Sequence, residues 1–298
     1  MGYQLWTSPV TGYRRMGTRV KEVRTLFDKD VTVRCIYEPL KACLADADAL
    51  EMATSLEERG FDVAGVKEPD NDSITRFVTA ASLKNGGEVR DHAVNIAINS
   101  LIADATSLAK VFSILGKREY SFVVIDANVA GIITRADLNK PPARIYLFGL
   151  VSLFEMHLVF WIRKEFADDA WKQHLKESRI EQALELYEQR KQKHQELSLC
   201  ECLQVCDKAD VVMTHDELRD LFGINSKSEG RRLFGRAETL RDLLAHSQTS
   251  LVEGTTWEEL TKTVAWMERA LEASDDKIEK LANEVGANYV EKFWSASG

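Results

Sequence analysis

Cysteine pairs of the C-x-x-C type are absent from this 298-residue sequence, and none of the five cysteines stands at zinc-finger spacing from a histidine. We therefore expect reduced thiols in a cytoplasmic protein, and no metal site. Walker, Rossmann and G-x-S-x-G motifs are missing as well, so none of these common nucleotide and hydrolase signatures assigns a function.

An excess of basic residues is also lacking, because the formal net charge is −8. Proteins that coat duplex DNA non-specifically are usually basic, so any contact with nucleic acid is expected to be local. Residues 1–30 contain no apolar stretch typical of a secretory signal peptide.

A single long apolar run extends from Ile145 to Ile162. Glu155 lies inside it, and a carboxylate at the centre of a bilayer costs roughly 2.5–3.5 kcal/mol. Arg144 and Arg163 flank the run closely. We therefore predict the central buried helix of a bundle rather than a membrane span.

Proline is scarce, and two of the five prolines, Pro141 and Pro142, form a pair that marks a break in the chain. Helical stretches alternate with short β-rich runs before the pair, whereas almost everything after it has helical character. The predicted fold class is α+β, with an α/β part followed by an all-α up-and-down bundle. The predicted boundaries are an N-terminal arm at 1–30, an α/β module at 31–140 and a bundle at 143–298.

The α/β part contains an internal repeat with a separation of 55–59 residues. L-A-D-A at 44–47 corresponds to I-A-D-A at 102–105, and each is followed by an amphipathic helix and two strands. The predicted apolar faces of the two helices comprise Leu50, Ala53 and Leu56, and Leu108, Val111 and Ile114. A duplication is the simplest explanation.

The second repeat ends in G-I-I-T-R-A-D-L at 131–138, which resembles the closing signature of a cystathionine-β-synthase (CBS) domain. The resemblance covers residues 31–140 and implies a pair of such domains that binds an adenine nucleotide (AMP, ADP or ATP) as a regulatory ligand. It implies that Asp137 holds the ribose hydroxyls and that Thr134, with Thr79 in the first repeat, contributes to binding. The first repeat departs from the pattern, since Ser82 replaces the aspartate and Arg76 the glycine. Alternatively, Thr134 caps the following helix and Asp137 strengthens its first turn.

In the helical half, three S/T-x-x-E segments predict helix starts, at Thr214, Ser226 and Thr256. The helix after Ser226 carries Arg241, Asp242 and His246. Asp242 and His246 are four residues apart and are expected to form a hydrogen bond on one helix face. Arg241 and His246 are about 140° apart around the axis, so they can flank one substrate only across a two-fold homodimer interface.

The segment R-D-L-L-A-H at 241–246 resembles the R-x4-H motif of HEPN (higher eukaryotes and prokaryotes nucleotide-binding) domains. This resemblance covers about residues 143–285 and implies a metal-independent endoribonuclease that is active as a dimer. Histidine supplies a base or acid near pH 7, and arginine a permanent cation beside the phosphorane. Asp242 and Glu155 are expected in the same cleft. The expected RNA contacts are Arg231, Arg232 and Arg236.

Two other functions remain open. Residues 214–225 and the arginine-bearing helix that follows them resemble a helix-turn-helix with Gly223 in the turn, which implies a nucleotide-responsive DNA-binding regulator. Two ordinary bundle helices joined by a glycine-ended loop explain this segment better, because the second helix also has a strong apolar face. The remaining alternative is a catalytically inactive, nucleotide-sensing dimerisation protein.

Overall fold

The computed structural model describes residue 25 and residues 29–194, 198–246 and 250–295, with side chains up to residue 281 apart from that of residue 279. The predicted arm at 1–30 lies almost entirely outside these residues. The chain divides into two units between Arg144 and Ile145, directly after the Pro141–Pro142 pair. An α/β unit precedes this boundary and a helical unit follows it.

The α/β unit contains the predicted repeat. After a short strand β1 (Glu38–Pro39), the first repeat comprises β2 (Ala42–Leu44), α1 (Ala49–Glu58), β3 (Val63–Glu68), β4 (Asn71–Thr79) and α2 (Ala80–Leu83). After β5 (Val94–Asn95), the second comprises β6 (Leu101–Ala103), α3 (Leu108–Leu115), β7 (Tyr120–Ile125), β8 (Asn128–Thr134) and a 3-10 helix (Arg135–Asn139). The predicted duplication is confirmed, because both repeats have the same order of elements.

Each repeat builds a four-stranded sheet that ends on a strand from outside that repeat. The strand orders are β2-β3-β4-β5 and β1-β8-β7-β6. β1 precedes the first repeat but pairs with β8 of the second, with Glu38 opposite Ile132. β5 directly precedes the second repeat but pairs with β4 of the first. Gly131 permits this arrangement, because a Cβ atom there would collide with the Tyr37 ring next to β1.

The two repeat helices bury most of the predicted apolar residues. Ala53, Leu56, Leu108 and Val111 are buried. Leu50 was wrongly predicted to belong to the core: its side chain is 52% exposed. The reason is the position of the helix start, since Asp48 caps α1 by accepting a hydrogen bond from the Glu51 N–H, and this turns Ala49 rather than Leu50 inward.

Within its described residues, the helical unit contains four long helices, as predicted, and two short ones. The long helices are α4 (Pro141–Glu165), α5 (Glu177–Gln192), α8 (Lys227–Ala245) and α9 (Trp257–Ser295), and the short ones are α6 (Val205–Val212) and α7 (Asp216–Leu221). The predicted caps at Ser226 and Thr256 are confirmed. The cap at Thr214 is wrong, because its hydroxyl donates to the Val211 carbonyl and α7 starts one residue later, with His215 as its N-cap.

Helix α4 is long and apolar enough to cross a membrane, and 61% of its most apolar 18-residue stretch is buried within the protein. Such burial agrees with the predicted core helix. Phe154 is the centre of an aromatic cluster with Phe222, Phe234 and Trp266, whose ring centroids lie 5.0–5.9 Å from its own. This cluster joins α4 to α8 and α9.

A polar network lies within the same apolar core. The His157 Nδ1 atom is 2.7 Å from the Ser274 Oγ atom, which also accepts a hydrogen bond of 2.6 Å from the Trp161 indole. The His157 Nε2 atom lies 3.5 Å from the Asp275 carboxylate. Burial lowers the pKa of His157 to about 4, so the imidazole is neutral at pH 7.

Candidate functional site

Asp137 lies in the 3-10 helix directly after β8, and its carboxylate is engaged within the chain. One oxygen accepts hydrogen bonds from the Thr134 N–H at 2.7 Å and from the Thr134 hydroxyl at 2.9 Å. The other oxygen lies 2.8 Å from the Lys140 ammonium group. Only 7% of the Asp137 side chain is exposed. Thr134 and Asp137 therefore stabilise the start of the following 3-10 helix. A ribose would have to compete with these contacts for the Asp137 carboxylate.

The corresponding turn of the first repeat is neutral. Thr79 caps α2 by accepting from the Ser82 N–H at 3.1 Å, and the Ser82 hydroxyl donates to the Thr79 carbonyl at 2.8 Å. Serine offers no carboxylate for a ribose diol. Thr79 has a structural role here, and the charged turn of the second repeat is the stronger candidate for ligand binding.

In the helical unit, side chains of three helices meet at the carboxylate of Glu155. Arg241 on α8 donates to Asp242 at 2.9 and 3.2 Å, and its Nη1 atom lies 4.0 Å from the Glu155 carboxylate on α4. The other Glu155 oxygen lies 3.3 Å from the Lys208 ammonium on α6. The predicted proximity of Glu155 and Arg241 is confirmed, and Glu155 has the cationic partners that a carboxylate in an apolar helix requires.

The Arg241 guanidinium remains accessible, with 35% of its side chain exposed. Burial acts to lower the pKa of Arg241, but the hydrogen bond to Asp242 and the charges of Glu155 and Glu238 together raise it. The guanidinium is therefore a fixed positive charge on a partly exposed side chain. Such a group suits the binding of a phosphate oxygen.

His246 does not continue the helix face on which the sequence predicts it to lie with Asp242. Helix α8 ends at Ala245, and His246 is the residue after it, with φ −109° and ψ 100°. The i, i+4 rule assumes a regular helix at both positions, so it does not apply here. Asp242 interacts with Arg241. His246 is exposed, beside the same end of α8 as Arg241.

The three arginines predicted to contact RNA differ in their availability. Arg231 and Arg232 are exposed on the first turns of α8. Arg236 forms an ion pair with Glu259 in the first turn of α9, which also accepts a hydrogen bond from the Thr255 hydroxyl. Arg236 is thus paired with Glu259 at a partly exposed position, and the RNA contact remains a prediction for all three arginines.

Lys208 is the residue of this site that sequence reasoning missed. Only 5% of its side chain is exposed, which is rare for lysine. The available signal was a lysine within V-C-D-K-A-D-V-V, on a helix that is otherwise mostly buried. The neighbouring Asp207 forms a two-pronged ion pair with Arg179, at 2.6 and 2.9 Å, which anchors α6 to α5.

The cysteines of this region are protonated thiols. Burial raises the pKa of Cys200 to about 12, and it also raises the pKa of Cys202. Among the residues that the structure describes, no group of three or more histidine, cysteine or acidic side chains is arranged to hold a metal ion.

The Glu155–Lys208 pair leads to a prediction about stability. Glu155→Gln is expected to lower the free energy of unfolding of the helical unit by about 1–2 kcal/mol, because it leaves the enclosed Lys208 ammonium without its counter-charge. The double variant Glu155→Gln/Lys208→Met is expected to recover at least half of this loss. Urea unfolding followed by tryptophan fluorescence measures both, and equal stabilities of the wild type and Glu155→Gln would show that the pair is screened by solvent.

Part of this chain is similar to solved structures of other proteins. No family model and no curated protein matches the sequence. The solved CBS domain of a bacterial CNNM/CorC family Mg2+ transporter in complex with ATP is 16% identical and covers 40% of this chain and 92% of its own, with a TM-score of 0.32. CBSX2 in complex with AMP is 21% identical and covers 36% and 92%, with a TM-score of 0.31. The CBS domains of a transcriptional regulator from Streptococcus pneumoniae are 16% identical and cover 37% and 97%, with a TM-score of 0.32.

Proposed function

We propose that this chain is an adenine-nucleotide-regulated, metal-independent endoribonuclease whose active site forms across a homodimer interface. The observation that carries the proposal is the end of α8, where a partly exposed Arg241 lies 4.0 Å from the Glu155 carboxylate of α4 and an exposed His246 follows the last residue of the helix. A fixed cation and an imidazole are the two groups that cleavage of RNA by its own 2′-hydroxyl requires.

The proposed reaction needs no nucleophile from the protein. The 2′-oxygen attacks the adjacent phosphorus, the bond between phosphorus and the 5′-oxygen breaks, and its electron pair leaves with that oxygen. His246 of one copy accepts the proton of the 2′-hydroxyl, and the imidazolium of the second copy protonates the leaving oxygen. Arg241 stabilises the charge that develops on the phosphorane oxygens. The products are a 2′,3′-cyclic phosphate and a free 5′-hydroxyl.

The direct test is incubation of the full chain with total RNA in EDTA, with and without AMP, ADP or ATP. We expect fragments with 2′,3′-cyclic phosphate and 5′-hydroxyl ends, and a rate that changes when nucleotide is added. Fragments with 5′-phosphate ends, or cleavage that EDTA abolishes, would contradict the proposed chemistry.

The regulatory half of the proposal predicts stabilisation by a nucleotide. The ligand assignment is supported by the duplicated α/β unit and by the turn that carries Thr134 and Asp137. A nucleotide at 100 times its Kd is expected to stabilise the α/β unit by about 2.7 kcal/mol. A thermal-shift series with AMP, ADP, ATP, S-adenosylmethionine and NAD measures this effect. If none of the five compounds changes the unfolding temperature, nucleotide binding is contradicted and a role in dimerisation alone remains.

A second candidate function, the DNA-binding regulator, is favoured by one feature. Gly223 ends α7 with a positive φ of 64°, and the helix after it exposes Arg231 and Arg232 on its first turns. Against this, Leu233, Phe234 and Leu240 bury the opposite face of α8 in the bundle. A salt-sensitive complex with a specific duplex DNA, formed without degradation of RNA, would favour the regulator.

A further inference from the structure

The ammonium group of Lys140 contacts three oxygen atoms of the α/β unit. Its Nζ atom donates to the Ile36 carbonyl at 2.6 Å, forms an ion pair with Glu38 of β1, and lies 2.8 Å from the Asp137 carboxylate. Burial acts to lower the pKa of Lys140, but Asp137 and Glu38 together raise it. Lys140 is therefore positively charged whenever these carboxylates are ionised.

These contacts use the acceptor capacity that a ribose would need. A carboxylate has about four acceptor positions, and the Asp137 carboxylate already receives Thr134 N–H, the Thr134 hydroxyl and Lys140. A ribose diol brings two further donors to a side chain that is almost fully enclosed. Lys140 pairs with one Asp137 oxygen and can leave it by rotation about its side-chain bonds, whereas the Thr134 amide and hydroxyl share the other oxygen.

We propose that Lys140 is an internal competitor for the nucleotide site of the second repeat. Its ammonium occupies the Asp137 oxygen that a ribose hydroxyl would use, and a nucleotide binds by displacing it. This inference rests on the proposed function, because it assumes that an adenine nucleotide is the ligand of Asp137.

The position of Lys140 gives its displacement a consequence. The same ammonium ties β1 to the end of the second repeat, through Ile36 and Glu38. Release of Lys140 would therefore break this tie, and a nucleotide would act on β1 by competing for one ion pair.

The first repeat provides a comparison within the chain. Thr79, Ser82 and Asn85 stand at the same spacing as Thr134, Asp137 and Lys140. There the Asn85 side chain donates to the Ser82 carbonyl, and neither residue carries a charge. The competing ion pair is thus specific to the second repeat.

The test measures binding of ATP, ADP and AMP to the full chain by isothermal titration calorimetry. Lys140→Met keeps the apolar stem and removes the charge, and it is expected to bind the preferred nucleotide about three- to fivefold more tightly than the wild type, the gain from losing an ion pair of this kind. Lys140→Arg is expected to bind within about twofold of the wild type because it retains the charge. Lys84→Met, which removes an exposed ion pair with Glu57 in the first repeat, is the matched control and is expected to leave affinity unchanged. Asp137→Asn is expected to abolish binding.

Each other outcome overturns the inference in a recognisable way. Weaker binding by Lys140→Met would mean that Lys140 assists the nucleotide, by holding its phosphates. Wild-type affinity in Asp137→Asn would place the nucleotide elsewhere and leave nucleotide sensing intact. An absence of heat with all three nucleotides, in the wild type and in Lys140→Met alike, would remove nucleotide sensing from the proposed function as well. Circular dichroism of each variant checks that the fold is retained.

Discussion

Replacing His246 with alanine is expected to lower the rate of RNA cleavage by at least about a hundredfold. General acid–base catalysis by a positioned side chain contributes roughly 10²- to 10⁴-fold, and in the proposed dimer each copy of His246 carries one of the two proton transfers. His246 is exposed and lies just beyond α8, so its side chain is not part of the buried face of that helix. The measurement is the initial rate of cleavage of a labelled RNA in EDTA.

Arg241→Ala is expected to have a comparable effect, because the positive charge beside the phosphorane is lost. Arg241→Lys is expected to recover only part of the rate, since a point charge cannot reproduce the two-pronged geometry of a guanidinium. His194→Gln, at an exposed position of the same unit, is the matched control and is expected to cleave at the wild-type rate.

Mixing the two inactive variants tests the dimer. If the site contains residues of both copies, a mixture of Arg241→Ala and His246→Ala subunits is expected to differ in rate from either variant alone. Undiminished cleavage by both single variants would assign the activity to a contaminant or to another site. Loss of cleavage together with loss of the native circular dichroism spectrum would show a structural role instead.

Acidification is expected to destabilise the helical unit through His157. The imidazole has an ordinary pKa of about 6.5 in the unfolded chain, and burial lowers it to about 4 in the folded one. Between these two pKa values His157 is protonated in the unfolded state but not in the folded state. The free energy of unfolding therefore falls as the pH drops from 6.5 to about 4. At about 1.36 kcal/mol per pH unit, the full loss is about 3 kcal/mol. Asp275, whose carboxylate faces the Nε2 atom, is the acidic group in direct contact.

His157→Gln isolates this contribution from that of the carboxylates. We expect this variant to be less stable than the wild type at pH 7 but to lose about 3 kcal/mol less between pH 7 and pH 4. Urea unfolding followed by tryptophan fluorescence reports on the helical unit, because no tryptophan occurs between residues 29 and 144. His194→Gln serves again as the control and is expected to show the wild-type loss. If the free energies of unfolding of the wild type and of His157→Gln depend on pH in the same way, protonation of His157 does not destabilise the folded state.

Local signals predicted the order of elements well. The duplication, the break at Pro141–Pro142 and the helix starts at Ser226 and Thr256 all depend on residues that are close in the chain. The errors arose where the next turn of chain decides the outcome. Leu50 points outward because of a cap two residues earlier, and His246 lies outside α8 because the helix ends one residue before it.

The candidate site was only half predictable for the same reason. Arg241, His246 and Glu155 carry chemistry that can be recognised by residue type, and the proximity of Glu155 to Arg241 followed from its need for a partner. Lys208 and Lys140 could not be found in this way, because a lysine in the sequence is usually a solvated charge. What distinguishes them is the set of oxygens that distant segments place around each ammonium group.

The sequence alone determined the two-part architecture, the repeat of the α/β unit and the residue types available for catalysis, since hydrophobic period, capping and turn residues act over a few positions. Only the tertiary structure decided that β1 and β5 exchange between the two sheets, that Arg236 is engaged by Glu259, and that Asp137 is already occupied by Lys140. Hydrogen bonds and ion pairs between distant segments depend on which surfaces meet after burial. Lys140 and its partner Ile36 are 104 residues apart in the sequence, and no local pattern predicts a contact over that separation.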